Sequence, residues 1–397
     1  MVVGRVRLDS WKSIAEHLKR SPRTVQRWHA DYGLPVHHFG GSKGPVFALS
    51  DELDGWLSGF VETPEESGVT GDLTPDGRKN QARALVAEAG ELWELRSETN
   101  LPRIAAIYRQ AVDMDPAHAP AFVGLANAIV LAALVGAMRS SAAYPRAMEA
   151  LKRAMRLDFE PLETRCTAAW LQMVHERVWR PAQEGFDEVL NRQPQKSFAL
   201  SGRALLYVVE AKLPLASRYL RDAWRQNTFA SVENSLRCWV EYLSGEYEQV
   251  LELVAHARSS GDNASFNAAI EALALIQVGP VSQGLKQIEA CVRTYPDCLV
   301  LTGALGYAYA VSGQTGRAGD TIHRLKRMRG DSAYPIALAM MGLDERQQAL
   351  SCLETSWAEG SLWSLGFRSD PILRPLSNNP RFESMLRKIG TPVPLSA

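Results

Sequence analysis

Small and aliphatic side chains return every 34 residues through the middle of the chain, at Ala182, Ala216, Val250, Gly284 and Ala318. Four residues after each stands a larger apolar group (Phe186, Leu220, Val254, Ile288, Ile322), and seven after it another apolar one (Val189, Ala223, Ala257, Cys291, Leu325). Positions i, i+4 and i+7 share one face of an α-helix, so each set predicts the buried stripe of one helix. Pro194 and Pro296 follow two of these helices, where a residue without an amide hydrogen stops the ladder. The register extends back to Ala147, Leu151 and Ala154, and then to Ile104, Tyr108, Ala111 and Pro116, with a longer insertion around Val135 to Tyr144. Forward it reaches Ala349 and Leu353, which makes eight helical hairpins, well above the roughly three that such a stack needs.

The first 60 residues follow a different pattern. Trp11, Ile14, Ala15 and Leu18 recur at helical spacing, and Ser21-Pro22 is a start signal for a second helix, predicted from Pro22 to Ala30. On that helix Val25 and Trp28 fall on one side, opposite Arg23, Gln26 and Arg27. Two short apolar runs around a Gly-rich tip with Lys43 predict a β-hairpin, and Ser50 to Leu57 predicts a capped helix with Leu53, Trp56 and Leu57 inward. Residues 61–79, with two Pro, three Gly and five acids, read as a flexible tether. The predicted organisation is therefore a module at 1–60, a linker at 61–79 and a helical array at 80–397, a mainly α fold.

Four motifs in residues 7–60 resemble the winged helix-turn-helix domains of the MerR and excisionase type: W-K-x-I-A-x-x-L at Trp11 to Leu18, R-T-V-Q-R-W at Arg23 to Trp28, G-L-P-V at Gly33 to Val36, and E-L-D-x-W at Glu52 to Trp56. Lys19 stands where many such domains have Gly in the turn. The resemblance implies that the second helix reads the major groove of double-stranded DNA and that the wing touches its backbone. Residues 80–359 resemble the tetratricopeptide family, an α-solenoid. The tail from Asp370 to Gly390 resembles the closing segment of bacterial proteins of that kind, with Phe382, Met385, Leu386 and Ile389 as the apolar side of a capping helix.

Composition narrows the function. Forty-four basic and forty-four acidic side chains cancel, which excludes a chain that coats nucleic acid or membrane throughout. Locally, Lys19, Arg20, Arg23 and Arg27 occur with no acid among them, so the expected DNA contacts are Arg20, Arg23, Thr24, Gln26, Arg27 and, on the wing, Lys43. Ala121 to Met138 is uncharged over eighteen residues, the lower limit of a membrane span, but lies in register with the repeats and is expected to be a buried helix. Five cysteines without a CxxC pair, and no signal-peptide pattern at the N-terminus, suggest a reduced, cytoplasmic setting.

No phosphate loop or nucleophile elbow occurs, and His118, His175, His256 and His323 are scattered, so neither an enzyme nor a cofactor or metal site is expected. Phe198, Trp239, Tyr242, Phe266 and Tyr307 fall at inward positions of successive first helices and predict an aromatic groove for a protein or peptide partner. The expected function is a DNA-binding transcription regulator with a partner in that groove. The alternative is a cytoplasmic scaffold in which the N-terminal module serves protein contact. No heptad helix follows the wing, so a homodimer would have to form through the repeats.

Overall fold

A computed structural model describes residues 7–18, 22, 25–26, 28–29, 34–38, 46–50, 52–53, 74–157, 161–228 and 230–390. The chain divides into two compact units, Met1–Leu73 and Thr74–Ala397.

In the first unit Ser10 caps helix α1 (Trp11–His17), its side chain accepting from the Ser13 amide at 3.1 Å. Three short strands, β1 (Arg7–Leu8), β2 (His37–His38) and β3 (Val46–Leu49), form an antiparallel sheet in the order β1-β3-β2. Leu8 faces Ala48, and His37 faces Phe47. Beneath them Ile14, Ala15, Leu18, Val25, Leu34, Val36, Val46, Ala48 and Leu53 make the core, with Trp11 and Trp28 packed at its edge. Val25 is buried and the adjacent Gln26 exposed, as the two-sided pattern requires. Arg20, Arg23, Thr24, Arg27 and Lys43 lie outside the described residues. His37 Nε2 lies 2.6 Å from Glu52 Oε2.

Among its described residues the second unit contains eight helix pairs. They are α2 (Pro75–Glu94) with α3 (Leu101–Met114), α4 (Ala119–Leu134) with α5 (Ser140–Arg156), and α6 (Leu162–Leu171), prolonged by a π turn, with α7 (Trp179–Arg192). Next come α8 (Ser197–Val209) with α9 (Leu213–Gln226), α10 (Ser231–Ser244) with α11 (Tyr247–Ser259), and α12 (Ser265–Gln277) with α13 (Val281–Thr294). The last two are α14 (Leu299–Val311) with α15 (Thr315–Arg327) and α16 (Ala333–Gly342) with α17 (Arg346–Ala358). Two 3-10 turns, at 362–366 and 371–376, lead to α18 (Pro380–Gly390).

The 34-residue period has a steric cause. Ala182, Ala216, Val250 and Ala318 are all fully buried in second helices. In two pairs the large residue four positions on crosses to the next first helix, where a glycine receives it: a Cβ on Gly202 would meet the Phe186 ring at 2.3 Å, and one on Gly124 the Tyr108 ring at 2.3 Å. Helix α4, the uncharged stretch, is buried along nearly its whole length. Among the described residues no helix is long and apolar enough to cross a membrane.

One boundary differs from expectation. Helix α2 begins at Pro75, inside the segment read as linker, because Thr74 accepts from the Gly77 amide at 3.2 Å and Pro75 is preformed for the first turn. Asp76, Gly77, Arg78 and Lys79 concealed a helix start that only Thr74 and Pro75 announce.

Two glycine substitutions should act in opposite directions. Gly90 lies within α2 with nothing within 4 Å of an added Cβ, whereas a Cβ on Gly303 would come within 2.6 Å of the Pro335 carbonyl oxygen. Gly90→Ala is expected to stabilise the protein by ~0.5 to 1 kcal/mol and Gly303→Ala to destabilise it by ~1 to 3 kcal/mol. Urea midpoints that move the same way for both would contradict this packing.

Candidate functional site

The aromatic residues predicted to line an open groove are not on an open surface. Phe198, Trp239, Tyr242 and Phe266 are buried, and Tyr307 is half-buried. The reason lies after α17, where residues 361–376 run back across the first helices and cover three of the rings. The Trp363 indole stacks on Phe266 (5.1 Å, 16°) and on Tyr334 (5.2 Å, 5°), and meets Trp239 edge-on at 5.6 Å. Phe367 adds a second stack on Tyr334 at 5.9 Å. Between them Gly366 passes so close that a Cβ would stand 2.8 Å from the Trp239 ring. Phe198 packs elsewhere, stacked at 5.0 Å on Trp170, whose Nε1 donates to the Phe198 carbonyl at 3.0 Å.

A single carboxyl group fixes this segment in register. Asp370 is 4% exposed, and its Oδ2 accepts from the Tyr334 hydroxyl at 2.6 Å. Its Oδ1 accepts from the Ile372 amide at 3.0 Å and the Tyr242 hydroxyl at 3.3 Å. Burial pushes the Asp370 carboxyl above its ordinary value, against the three hydrogen bonds that favour its ionised form. The Tyr242 and Tyr334 hydroxyls are pushed well above theirs by burial and by the facing carboxyl.

The array also closes on itself. Arg96, in the connection between α2 and α3, is 1% exposed and pairs with Glu233 of α10 through both Nε (3.0 Å) and Nη2. Its Nη2 also donates to Ser197 at 2.7 Å and its Nη1 to the Trp93 carbonyl at 3.0 Å. Two residues on, Glu98 accepts from the Ser265 hydroxyl and, at 3.1 Å, from the Phe266 amide. At a second seam the Ser140 amide donates to Asp331 Oδ2 at 3.0 Å. The first two hairpins are thereby tied to the fourth through eighth.

Beside Trp363, where the two seams meet, a cavity of about 490 Å³ remains. Phe266, Leu362 and Trp363 form its apolar wall, and Glu98, Ser140, Asp297, Arg329 and Asp331 its polar side. It opens outward at Gly136, Ala137, Thr294, Asp297 and Arg329, all exposed. Around it Asp331 Oδ1 and Glu359 Oε2 are inaccessible and lack a hydrogen-bond partner, and the equally inaccessible Ser140 and Tyr144 hydroxyls face one another. The Tyr144 hydroxyl is pushed up to about 12 by burial, and burial with the nearby Asp331 raises Glu359. Apart from Phe266 these residues carried no sequence signal, because Glu98, Asp297, Arg329 and Asp331 sit in connections far apart in the chain and converge only on folding.

No family model and no curated protein sequence matches the chain. Among solved structures it is similar to the Cut9-Hcn1 hetero-tetramer of APC/C, at 13% identity and TM-score 0.49 over 85% of this chain and 59% of that one. It is also similar to YrrB, a TPR protein with an unusual peptide-binding site (16%, TM-score 0.33, 51% of this chain and 97% of that one). Human IFIT1 bound to m7Gppp-AAAA gives 14% and TM-score 0.38 over 80% of this chain and 68% of that one. The tetratricopeptide-like character of the repeats rests on their own 34-residue period and paired helices.

Asp370 generates a pH-dependent expectation. Its folded pKa is raised above the ordinary 3.8, so the stability it contributes is complete below the unfolded value and is lost as pH rises through the folded one. Asp370→Asn keeps the acceptor and cannot ionise, so it should gain on the wild type in melting temperature as pH rises above the ordinary carboxyl range. Asp370→Ala strands two hydroxyls and an amide and should cost ~3 kcal/mol or more at any pH. A gap between wild type and Asp370→Asn that is flat with pH would refute this account.

Proposed function

We propose that the protein is a helical-repeat interaction module that engages a protein partner at the rim where the cavity opens. The observation that carries this reading is the origin of the cavity walls. They come from the connections of the first two hairpins, the turns before the seventh and eighth, and the closing segment. Such a rim exists only in the folded array. The axial face, by contrast, is occupied by residues 361–376, so a partner meets the rim and not the buried rings.

A photo-crosslinking residue placed at Ala137 or Thr294 should give a discrete adduct in producing cells, while one at Lys152 or Arg218, exposed on the second helices α5 and α9, should not. Adducts from the second-helix positions alone would move the interaction to the outer face.

A second reading makes the chain a cytoplasmic transcription regulator whose first unit binds double-stranded DNA. It is favoured by the burial of Val25 beside an exposed Gln26 and by the antiparallel pairing of β2 with β3, in keeping with a recognition helix and a wing. On this reading Arg23→Ala and Arg27→Ala each weaken binding to a selected duplex by ~1 to 3 kcal/mol without altering the melting curve. Equal affinity of both variants at moderate salt would leave the first unit to protein contact.

A further inference from the structure

We infer that Arg221, Arg225 and Arg237 form a site for the phosphate group of a small phosphate monoester, where α9 meets α10. The site goes beyond the reading above, since its residues lie away from the rim and need no partner chain. Arg237, on α10, reaches back to the preceding hairpin and lies over the Trp224 ring of α9, 5.4 Å from its centroid. Other arginines that reach between helices end on a carboxylate: Arg96 on Glu233, Arg203 on Asp187 and Arg258 on Glu271. Arg237 ends on none. The carboxyl one turn along α10, Glu241, is 5% exposed and accepts from the Ser217 hydroxyl at 2.6 Å instead. Arg237 Nε is inaccessible, and no described residue accepts a hydrogen bond from it or from either Nη. The side chain is half-buried, and its two Nη groups, unlike Nε, stay within reach of solvent. They make a two-pronged donor that matches two oxygens of one oxyanion, and the indole beneath fixes its plane.

Two further guanidiniums stand beside this fork. Arg221 and Arg225 are one turn apart on α9, before and after Trp224, and both are exposed. Asp222 pairs with Arg225 at 3.2 Å, and Arg221 donates only to the Ser217 hydroxyl, at 3.4 Å. Three cations therefore face two carboxyls, those of Asp222 and Glu241. The surplus acts on Arg237: burial lowers its pKa, Glu241 opposes that, and Arg221 and Arg225 lower it further. An anion seated on the two Nη groups relieves this repulsion. A phosphate monoester fits better than a carboxylate, because it brings nearly two negative charges and a third oxygen that can turn to Arg221 or Arg225. The phosphates of a nucleic-acid backbone are esterified twice and carry one charge each, so they match the surplus less well than a terminal phosphate does.

Calorimetric titration of the full chain at fixed ionic strength tests the site with phenyl phosphate and phenyl sulfate, which are close in shape and differ in charge. Near about pH 8, where the phosphate is a dianion, it should bind at least about tenfold more tightly than the sulfate. Arg237→Gln should weaken phenyl phosphate about tenfold or more and Arg221→Gln by a few-fold, while Lys152→Gln, at an exposed position on α5, should leave it unchanged. Equal affinity for phosphate and sulfate, no binding of the phosphate, or equal binding by Arg237→Gln and Lys152→Gln overturns the inference. Should Arg237→Gln fail to fold, Arg221→Gln and Arg225→Gln, both at exposed positions, decide in its place. A phosphoserine tripeptide blocked at both ends separates the sources of the phosphate. Binding no tighter than that of phenyl phosphate supports a free ester, and binding tighter by about tenfold or more overturns it in favour of a phosphorylated chain.

Discussion

The packing of Trp363 against Phe266, Tyr334 and Trp239 is the contact on which the second unit depends. Each helix pair buries the stripe of its second helix against its neighbours, but the far face of the first helix is left over. Here that face carries large rings, and several such rings side by side would make an exposed apolar patch of the kind soluble surfaces rarely tolerate. Residues 361–376 cover it. Apolar stacking alone leaves the sliding position of such a segment weakly defined. The two tyrosine hydroxyls on Asp370 define it, at the cost of taking a carboxyl out of water.

Closure changes what kind of repeat protein this is. An open array is close to a sum of nearest-neighbour terms, and its end repeats fray independently. Arg96 and Glu233 are separated by 137 residues, and Glu98 and Ser265 by 167, so the first hairpin cannot open without disturbing the fifth and sixth. The Arg96–Glu233 pair is fully buried, and a buried ion pair is weak as a source of net stability. Its three contacts across the seam instead select one closing register, because a displaced Arg96 would leave both its own charge and that of Glu233 without a partner.

The chain's hydrophobic period announced the hairpins and their buried stripes, since Ala182, Phe186 and Val189 obey a local rule that neighbouring residues express. What covers the first-helix rings was not legible. Spacing tells which face Trp239 and Phe266 occupy, and says nothing of a segment more than 90 residues further on that lies across them. A hint existed in Leu362, Trp363, Leu365 and Phe367, more apolar mass than an end cap needs. In the first unit the hairpin strands followed from the apolar runs, but β1 has two residues, too few for any alternation to register. The linker boundary failed for the opposite reason: composition over 61–79 is averaged, whereas the helix start is set by Thr74 and Pro75 alone.

The position of the cavity follows from the same geometry. Helix ends leave backbone amides and carbonyls that the helix cannot satisfy, so the connections that meet at the closing seam are rich in short polar side chains that supply partners. Asp331 does this for the Ser140 amide at the start of α5, and Glu98 does it for the start of α12. The axial segment, by contrast, must be apolar to cover the rings. Where the two systems meet, at Ser361 to Trp363, neither can fill the space: the aromatic side has no more rings to add, and the polar side has spent its acceptors on backbone amides. The remaining volume is therefore bounded by an aromatic wall on one side and by short polar side chains on the other. It has this character because the array is both closed and filled, and an array with only one of those properties would not form it.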